Sequence, residues 1–259
     1  MQEIGESAFL HSNISYLRFD NNELMKEFSK QSFSRNPLKE LHFGNLPNIT
    51  LIGETAFGPR NQYASQDGPI ILRTPVDLSG MPKLEEIGYN AFYNMKFKSI
   101  NLEGLDNLKK IGPSAFRDTT FRSFNFAHLP NLEEINSSAF MNNRLETVDL
   151  SGNPKLRYIG SDAFNNNFPP FTSEISELKF ANNSVIEFIG SGAFRGNKLT
   201  ELDLSQLNHL HTIGTGAFRE NEIETLGLPQ AETYTKIARD TFSHNNLTEV
   251  DLPNNIKSI

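Results

Sequence analysis

Residues 199–222 read L199-T-E-L202-D-L204-S-Q-L207-N-H-L210-H-T-I213-G-T-G-A217-F218-R-E-N221-E222, and this stretch decides the fold. Its closing phrase has six positions: a large apolar residue, then a residue that is usually Gly, two variable residues, a small residue and Phe. This phrase occurs ten times along the chain. Seven of the nine intervals between successive Phe residues of the phrase are 24 residues long. A fixed period in this range indicates one structural unit stacked on itself, which predicts a solenoid. The ten Phe residues are Phe9, Phe33, Phe57, Phe92, Phe116, Phe140, Phe164, Phe194, Phe218 and Phe242.

Within one unit, Leu202 and Leu204 alternate with Asp203, which is typical of a short half-buried strand. The spacing of three from Leu204 to Ile213 fits neither strand nor helix and predicts a coil that turns an apolar side chain inward at each corner. The Ser, Thr or Asp before the small residue suits the start of a helical or 3₁₀ turn. Strands are therefore predicted at 76–78, 100–102, 124–126, 148–150, 178–180, 202–204 and 226–228, with a second, weaker strand around the Ile before each Gly.

The Phe column, meaning the ten Phe residues together, is predicted to stack through the core from Phe9 to Phe242. Gly follows the large apolar residue in seven repeats, whereas Ser29, Asn136 and Ala238 replace it in the others. Ser and Ala tolerate a positive φ poorly, so this position is interpreted as limited by space.

These motifs resemble the leucine-rich repeats of the BspA-like class, whose pattern is roughly L-x-x-L-x-L-P-x-x-L-x-x-I-G-x-x-A-F-x-x-C/N. The resemblance covers almost the entire chain, although Asn stands where the class often has Cys. It implies a leucine-rich-repeat solenoid with its main short-strand sheet on the concave side, and a place on bacterial surfaces in adhesion and partner binding. The predicted fold is a right-handed solenoid of about ten 24-residue repeats, with short parallel strands, turns and little α-helix.

Continuous repeats predict a single domain over 1–259 rather than two globular ones. The first and last residues fall inside repeats, so we expect the domain to be truncated in mid-repeat at both ends and to belong to a longer protein. Two insertions, near 58–72 and 165–173, lengthen the interval after Phe57 and after Phe164. Both are expected to emerge as loops near the same lateral edge, where they either bind a partner or represent drift in a tolerant position.

Composition excludes several functions. The net charge is −7, so the chain lacks the basic surface that would attract nucleic acid. The sequence also has no basic amphipathic stretch of the kind that inserts into membranes. The absence of Cys excludes disulfides and thiol chemistry. His209 and His211 are interpreted as corner residues rather than metal ligands, and no catalytic motif occurs. We therefore expect no enzyme, cofactor or metal site, and a hydrolase site in an insertion is the poorest hypothesis.

The outward strand residues could carry recognition, because in the second half of the chain they are mainly acidic. An acidic face suggests a basic or polyhydroxylated partner, and its alternative explanation is a solvated face that prevents aggregation. Phe168 and Phe171 in the second insertion are competing apolar candidates. The predicted function is a non-catalytic interaction or adhesion module of an extracellular or cell-surface bacterial protein, with a protein or glycan ligand that could come from a host; the alternative is a structural spacer. The candidate partner-binding residues are Asp149, Glu177, Glu201, Asp203, Glu249, Asp251, Phe168 and Phe171.

Overall fold

The computed structural model describes residues 2–59, 69–166 and 175–259. These residues form a parallel β-solenoid in which successive coils lie in register along the stack. Nine two-residue strands, each ending at the large apolar residue of the phrase, form one sheet that we call the Ile sheet. Its strands are Glu3–Ile4, Glu27–Phe28, Leu51–Ile52, Glu86–Ile87, Lys110–Ile111, Glu134–Ile135, Tyr158–Ile159, Phe188–Ile189 and Thr212–Ile213.

The L-x-L segments form the second surface of the solenoid, which we call the Leu face. Here the described strands form four separate pairs. A fifth pair is formed by a strand of the first insertion and lies apart from these four. The Leu-face pairs are Tyr16–Arg18 with Glu40–His42, Val76–Asp77 with Ile100–Asn101, Thr147–Leu150 with Glu177–Phe180, and Glu201–Asp203 with Thr225–Gly227; the fifth pair is Ile70–Ile71 with Met95–Lys96.

The structure reverses the predicted ranking of the two sheets, because the Ile sheet is continuous and the Leu face is interrupted. One predicted strand, 124–126, is wrong. The backbone forms a 3₁₀ helix at Phe126–His128 instead. The Asn125 side chain accepts a hydrogen bond from the Ala127 N–H and caps this helix, while Phe126 is buried beneath it.

The glycine of the phrase is limited by space, as predicted. A Cβ atom at Gly190 or Gly214 would lie 2.3 or 2.4 Å from a backbone nitrogen of the preceding coil, and neither residue has a positive φ. The Gly214 N–H donates to the Ile189 carbonyl at 2.8 Å, so the close approach also extends the Ile-sheet hydrogen bonds by one residue. Small residues here let neighbouring coils meet backbone to backbone.

Positive φ occurs instead two residues later, and it corrects the predicted helical start. The fourth residue of the phrase has φ between 49° and 61° in all ten repeats. In the ninth repeat, Gly216 is the third residue of a turn that the Ala217 N–H closes on the Gly214 carbonyl at 3.2 Å, which is the type II pattern. The ten residues are Ser7, Gln31, Thr55, Asn90, Ser114, Ser138, Asp162, Gly192, Gly216 and Asp240.

The Phe column stacks without interruption, which confirms the predicted core. All nine successive pairs have ring centroids 5.1 to 5.9 Å apart and interplanar angles of 21° or less. Phe140 is only 1% exposed, whereas Phe9, at the first position of the column, is 42% exposed because no earlier ring covers it. Burial of these rings is a major source of stability, at about 2–3 kcal/mol for each.

An asparagine three residues after Phe joins each coil to the one before it. The Asn221 Nδ2 donates to the Phe218 carbonyl at 3.0 Å and to the Phe194 carbonyl at 2.9 Å, while its Oδ1 accepts from the Leu199 N–H at 3.2 Å. Each Phe carbonyl can therefore accept one bond from its own coil and one from the next, using both lone pairs. Two donated bonds of this kind recur in the Asn ladder, which consists of Asn36, Asn143, Asn197, Asn221 and Asn245.

Three described repeats lack this Asn, with Ser12, Met95 and Thr119 in its place, and the last two show what replaces it. Thr119 donates from its Oγ1 to the Phe116 carbonyl at 2.9 Å and lies 2.7 Å from the Asn143 Oδ1. Met95 has no polar side chain, but its backbone belongs to the strand Met95–Lys96, which pairs with Ile70–Ile71. Strand pairing supplied by the first insertion thus takes the place of a side-chain clamp.

We predict that Phe140→Ala lowers the free energy of unfolding by about 3–5 kcal/mol, because it leaves a cavity between two stacked rings. Asp149→Ala, which changes an exposed strand residue, should change it little. Guanidinium titration of both variants measures the difference. Equal shifts would contradict the assignment of inward and outward side chains.

We predict that Asn221→Ala costs about 2–4 kcal/mol, because the variant loses two donated bonds and leaves the buried Leu199 N–H without its acceptor. Asn208→Ala is the matched control, since Asn208 is exposed in the same repeat. The same denaturant titration applies. A loss no larger than that of the control would show that the Asn ladder does not hold the coils together.

The two glycines of one phrase should respond differently to substitution. Gly216→Ala should cost about 1–2 kcal/mol because of its positive φ alone, since a Cβ there would meet nothing closer than 3.7 Å. Gly214→Ala should cost more, because its Cβ would lie 2.4 Å from the Ser191 nitrogen. Gly216→Asn should recover most of the loss in melting temperature, since Asn tolerates the left-handed region. The reverse order of the two alanine variants would refute this division of roles.

Candidate functional site

The Leu face presents polar side chains on backbone that is fixed by strand pairing. In the pair Thr147–Leu150 with Glu177–Phe180, alternate residues point outward, so that Asp149 lies directly opposite Lys179 and Thr147 opposite Glu177. In the next pair, Glu201 lies opposite Thr225 and Asp203 opposite Gly227. Asp149, Glu177, Glu201 and Asp203 are all exposed, as predicted for an outward column.

The aspartates of this face also have a local structural task. The Asp149 Oδ1 accepts from the Ser151 N–H at 2.9 Å, and the Asp203 Oδ1 accepts from the Ser205 N–H at 2.9 Å. Hydrogen bonds from the side chain and the backbone of Ser151 are the main reason that the pKa of Asp149 is lowered. Asp77, Asn101 and Asn125 form the same bond, so this column favours Asp or Asn because each turns the chain away from the strand. In the sequence, this turn bond is marked by the repeated Asp-Leu-Ser at 77–79, 149–151 and 203–205.

Charge on the Leu face is more balanced than a purely acidic column. The Lys179 Nζ lies 2.7 Å from the Glu177 Oε1, and this contact, the largest cause, together with Asp149 opposite, raises the pKa of Lys179. Across this strand pair, Asp149 therefore faces a cation and not another acid. A Cβ at position 227 would lie 2.6 Å from the Asp203 Oδ1, so Gly227 leaves space for that carboxylate.

The eight candidate residues do not all come together on one ordered surface. Four of them, Asp149, Glu177, Glu201 and Asp203, lie on paired strands. Glu249 and Asp251 are exposed but follow the last of the described Leu-face strands and belong to none. Phe168 and Phe171, with most of the second insertion, lie outside the described residues.

A cavity at the other end of the Leu face was missed by sequence reasoning. It has a volume of 670 Å³ and lies where Glu40–His42 and Val76–Asp77 run side by side without ladder pairing. Pro75, which has no N–H to donate, lines it together with Arg18, His42 and Asp77. Arg18 lies 3.7 Å from Asp20 and His42 lies 3.5 Å from Glu40, so both of these side chains have acidic neighbours.

A second charged cluster lies beside the last turns of the Phe column. The Arg195 Nε and Nη2 each donate to a Glu220 carboxylate oxygen at 3.0 Å, and this pair is the main cause that lowers the pKa of Glu220. Arg219 contacts both Glu220 and Asp240. These charges compensate one another across three coils, which indicates a structural network rather than a free binding site. In the described part of the chain, no cluster of three or more His, Asp or Glu residues is placed to hold a metal ion.

Stacked coils of one length, parallel in-register strands and buried columns of Leu, Ile and Phe define a leucine-rich-repeat solenoid. A family model described as the BspA type leucine rich repeat region matches the chain in six copies, over residues 1–65, 85–208 and 170–259. The chain belongs to this family. Its sequence matches none of the curated proteins compared with it.

Solved structures to which this chain is similar share little sequence with it. The pneumococcal vaccine antigen PcpA is 17% identical over 94% of this chain and 64% of that one, with a TM-score of 0.41. A leucine-rich cell surface protein from Faecalibacterium prausnitzii is 14% identical over 95% and 78%, with a TM-score of 0.39. A leucine-rich repeat protein from Eubacterium ventriosum is 13% identical over 99% and 85%, with a TM-score of 0.32. The chain thus spans less than two thirds of the length of PcpA.

Helical structure in the described ranges nowhere reaches the length and apolar character that a membrane crossing requires.

Proposed function

We propose that this chain is a non-catalytic protein-interaction or adhesion module of a cell-surface or secreted bacterial protein, and that it binds a protein or glycan ligand through the Leu face. The observation that supports this most directly is the row of exposed charged side chains on strands whose register is fixed. The surface location and the bacterial source rest on what membership of the BspA-type family implies.

Ordered presentation favours the Leu face as the binding surface. Asp149 and Asp203 are held by the strand on one side and by the Ser N–H on the other, so their carboxylates lose little conformational freedom on binding. Each still has one carboxylate oxygen outside that bond. A rigid row of acceptors of this kind suits a basic or polyhydroxylated ligand.

The net charge of the paired strands supports the same ligand chemistry. Among Asp149, Glu177, Lys179, Glu201 and Asp203 there are four carboxylates and one ammonium group. Lys179 is paired with Glu177 and lies opposite Asp149, whereas Glu201 and Asp203 have the uncharged cross-strand partners Thr225 and Gly227. Contact with a cationic partner is therefore expected to centre on Glu201 and Asp203.

A structural spacer, which holds another domain at a distance, is the alternative function. The observation that favours it is the local use of the Asp and Asn column, because turn formation accounts for these residues without any ligand. An array of extracellular-matrix proteins and glycans, probed with the folded chain, distinguishes the two functions. Failure to bind across the whole array would favour the spacer.

We predict that Glu201→Lys with Asp203→Asn weakens a ligand found on that array more than Phe168→Ala with Phe171→Ala. Asn at 203 keeps the turn, as Asn101 and Asn125 do, so the variant changes charge without removing the Asp203 backbone bond. Binding through these acids should also fall steeply as salt rises, whereas binding through Phe168 and Phe171 should be nearly indifferent to salt.

The matched control for this experiment is Glu232→Lys, which changes an exposed acid in a turn that belongs to no strand. Surface plasmon resonance at several salt concentrations gives both affinity and salt dependence. Loss of binding in the Phe168 and Phe171 variant alone would show that the second insertion, and not the Leu face, holds the ligand.

A further inference from the structure

Two aromatic rings stand together on the outer surface of the Ile sheet, on a different face from the acids discussed above. Tyr158 and Phe188 occupy paired positions on neighbouring strands, and their ring centroids are 5.0 Å apart with planes within 5°. Both side chains are partly exposed. Elsewhere this outward column carries mainly charged or short residues, so the pair is a local apolar feature of an otherwise polar sheet.

The geometry leaves the outer faces of both rings accessible. The centroid spacing is close to the spacing of adjacent strands, about 4.8 Å, so the ring normals run along the stack of coils. Phe188 therefore faces the position of Thr212, and Tyr158 faces the position of Glu134. The Thr212 side chain is too short to cover a phenyl ring, so a planar group could continue the stack there.

The charges around the rings favour a cation. A cavity of 290 Å³ is lined by the two rings with Glu134, Asn136, Arg157 and Glu187. The Arg157 Nη2 lies 3.4 Å from the Glu133 Oε2, so this cation is already paired outside the cavity. Glu134 accepts only a neutral hydrogen bond, from the Asn136 Nδ2 at 3.1 Å, and Glu187 has no ion-pair partner among the described residues.

We propose that this aromatic pair is a docking point for an arginine side chain presented by a protein partner. A guanidinium is planar and weakly hydrated, so it can stack on an aromatic face while it donates to a carboxylate at its edge. Phe188 or Tyr158 supplies the stacking surface, and Glu187 or Glu134 supplies the acceptor. The backbone that carries the rings is fixed by strand pairing, so little conformational freedom is lost when a partner docks on them.

The probe is the acetylated and amidated peptide Gly-Gly-Arg-Gly-Gly, with the same peptide containing Lys as its comparison. Titration of the whole chain, followed by NMR of the Tyr and Phe ring signals, should shift Tyr158 and Phe188. The arginine peptide should bind about two- to fivefold more tightly than the lysine peptide, the range that stacking on an exposed ring provides. Phe188→Thr and Glu187→Gln should each weaken the arginine peptide.

The control variants separate docking from folding and from the Leu face. Phe188→Thr introduces the residue type that the next coil already has at the paired position, Thr212, so the fold should tolerate it. Glu187→Gln changes no buried group. Glu201→Lys with Asp203→Asn should leave the peptide affinity unchanged. Equal affinity for the two peptides, unchanged affinity in Phe188→Thr, no shift of these rings at millimolar peptide, or preference for an oligosaccharide at the same rings would each overturn the proposal.

Discussion

The hydrogen bonds of the Asn ladder are the interaction on which the solenoid depends. A column of buried Phe rings forces the backbone next to it into a water-free corner, where every carbonyl needs a donor. The amide of Asn197, for example, bonds the carbonyl of its own Phe194 and that of Phe164 in the coil before. One short side chain thereby closes its own turn and joins it to the neighbouring coil, beside rings that stack at 5.1 to 5.9 Å.

The tight corner follows from the same constraint. To bring Asn back onto the Phe carbonyl, the chain must turn sharply on both sides of Phe, and it does so with left-handed residues such as Ser138 and Asn142. Gly112 allows the preceding coil to approach closely, since a Cβ added at this position would lie 2.8 Å from the Ile87 carbonyl oxygen. Small, polar and glycine positions in this repeat are thus consequences of packing large rings in register.

Periodicity alone predicted the solenoid, the Phe column and the space-limited glycine, because each depends on the spacing of large and small residues. Periodicity could not predict which of the two strand surfaces forms the continuous sheet, since strands of two to four residues carry almost no period-two signal. Nor could it distinguish a left-handed Ser or Asp from a helix cap, because the same short side chains favour both. On the Leu face the outward position of Asp149, Glu177, Glu201 and Asp203 was predictable from the alternation along each strand. The pairing of Lys179 and the turn bonds of Asp149 and Asp203 depend on geometry that residue types do not reveal.

Each coil bonds only to the coils beside it, and these bonds run along the stack rather than across it. A force that pulls the two ends of the chain apart therefore loads the bonds between coils in series, and the outermost coil peels away before the inner ones are strained. One detached coil of 24 residues releases about 80 Å of extended chain. A stack of coils joined in this way thus has the mechanical character of an extensible tether that yields in discrete steps.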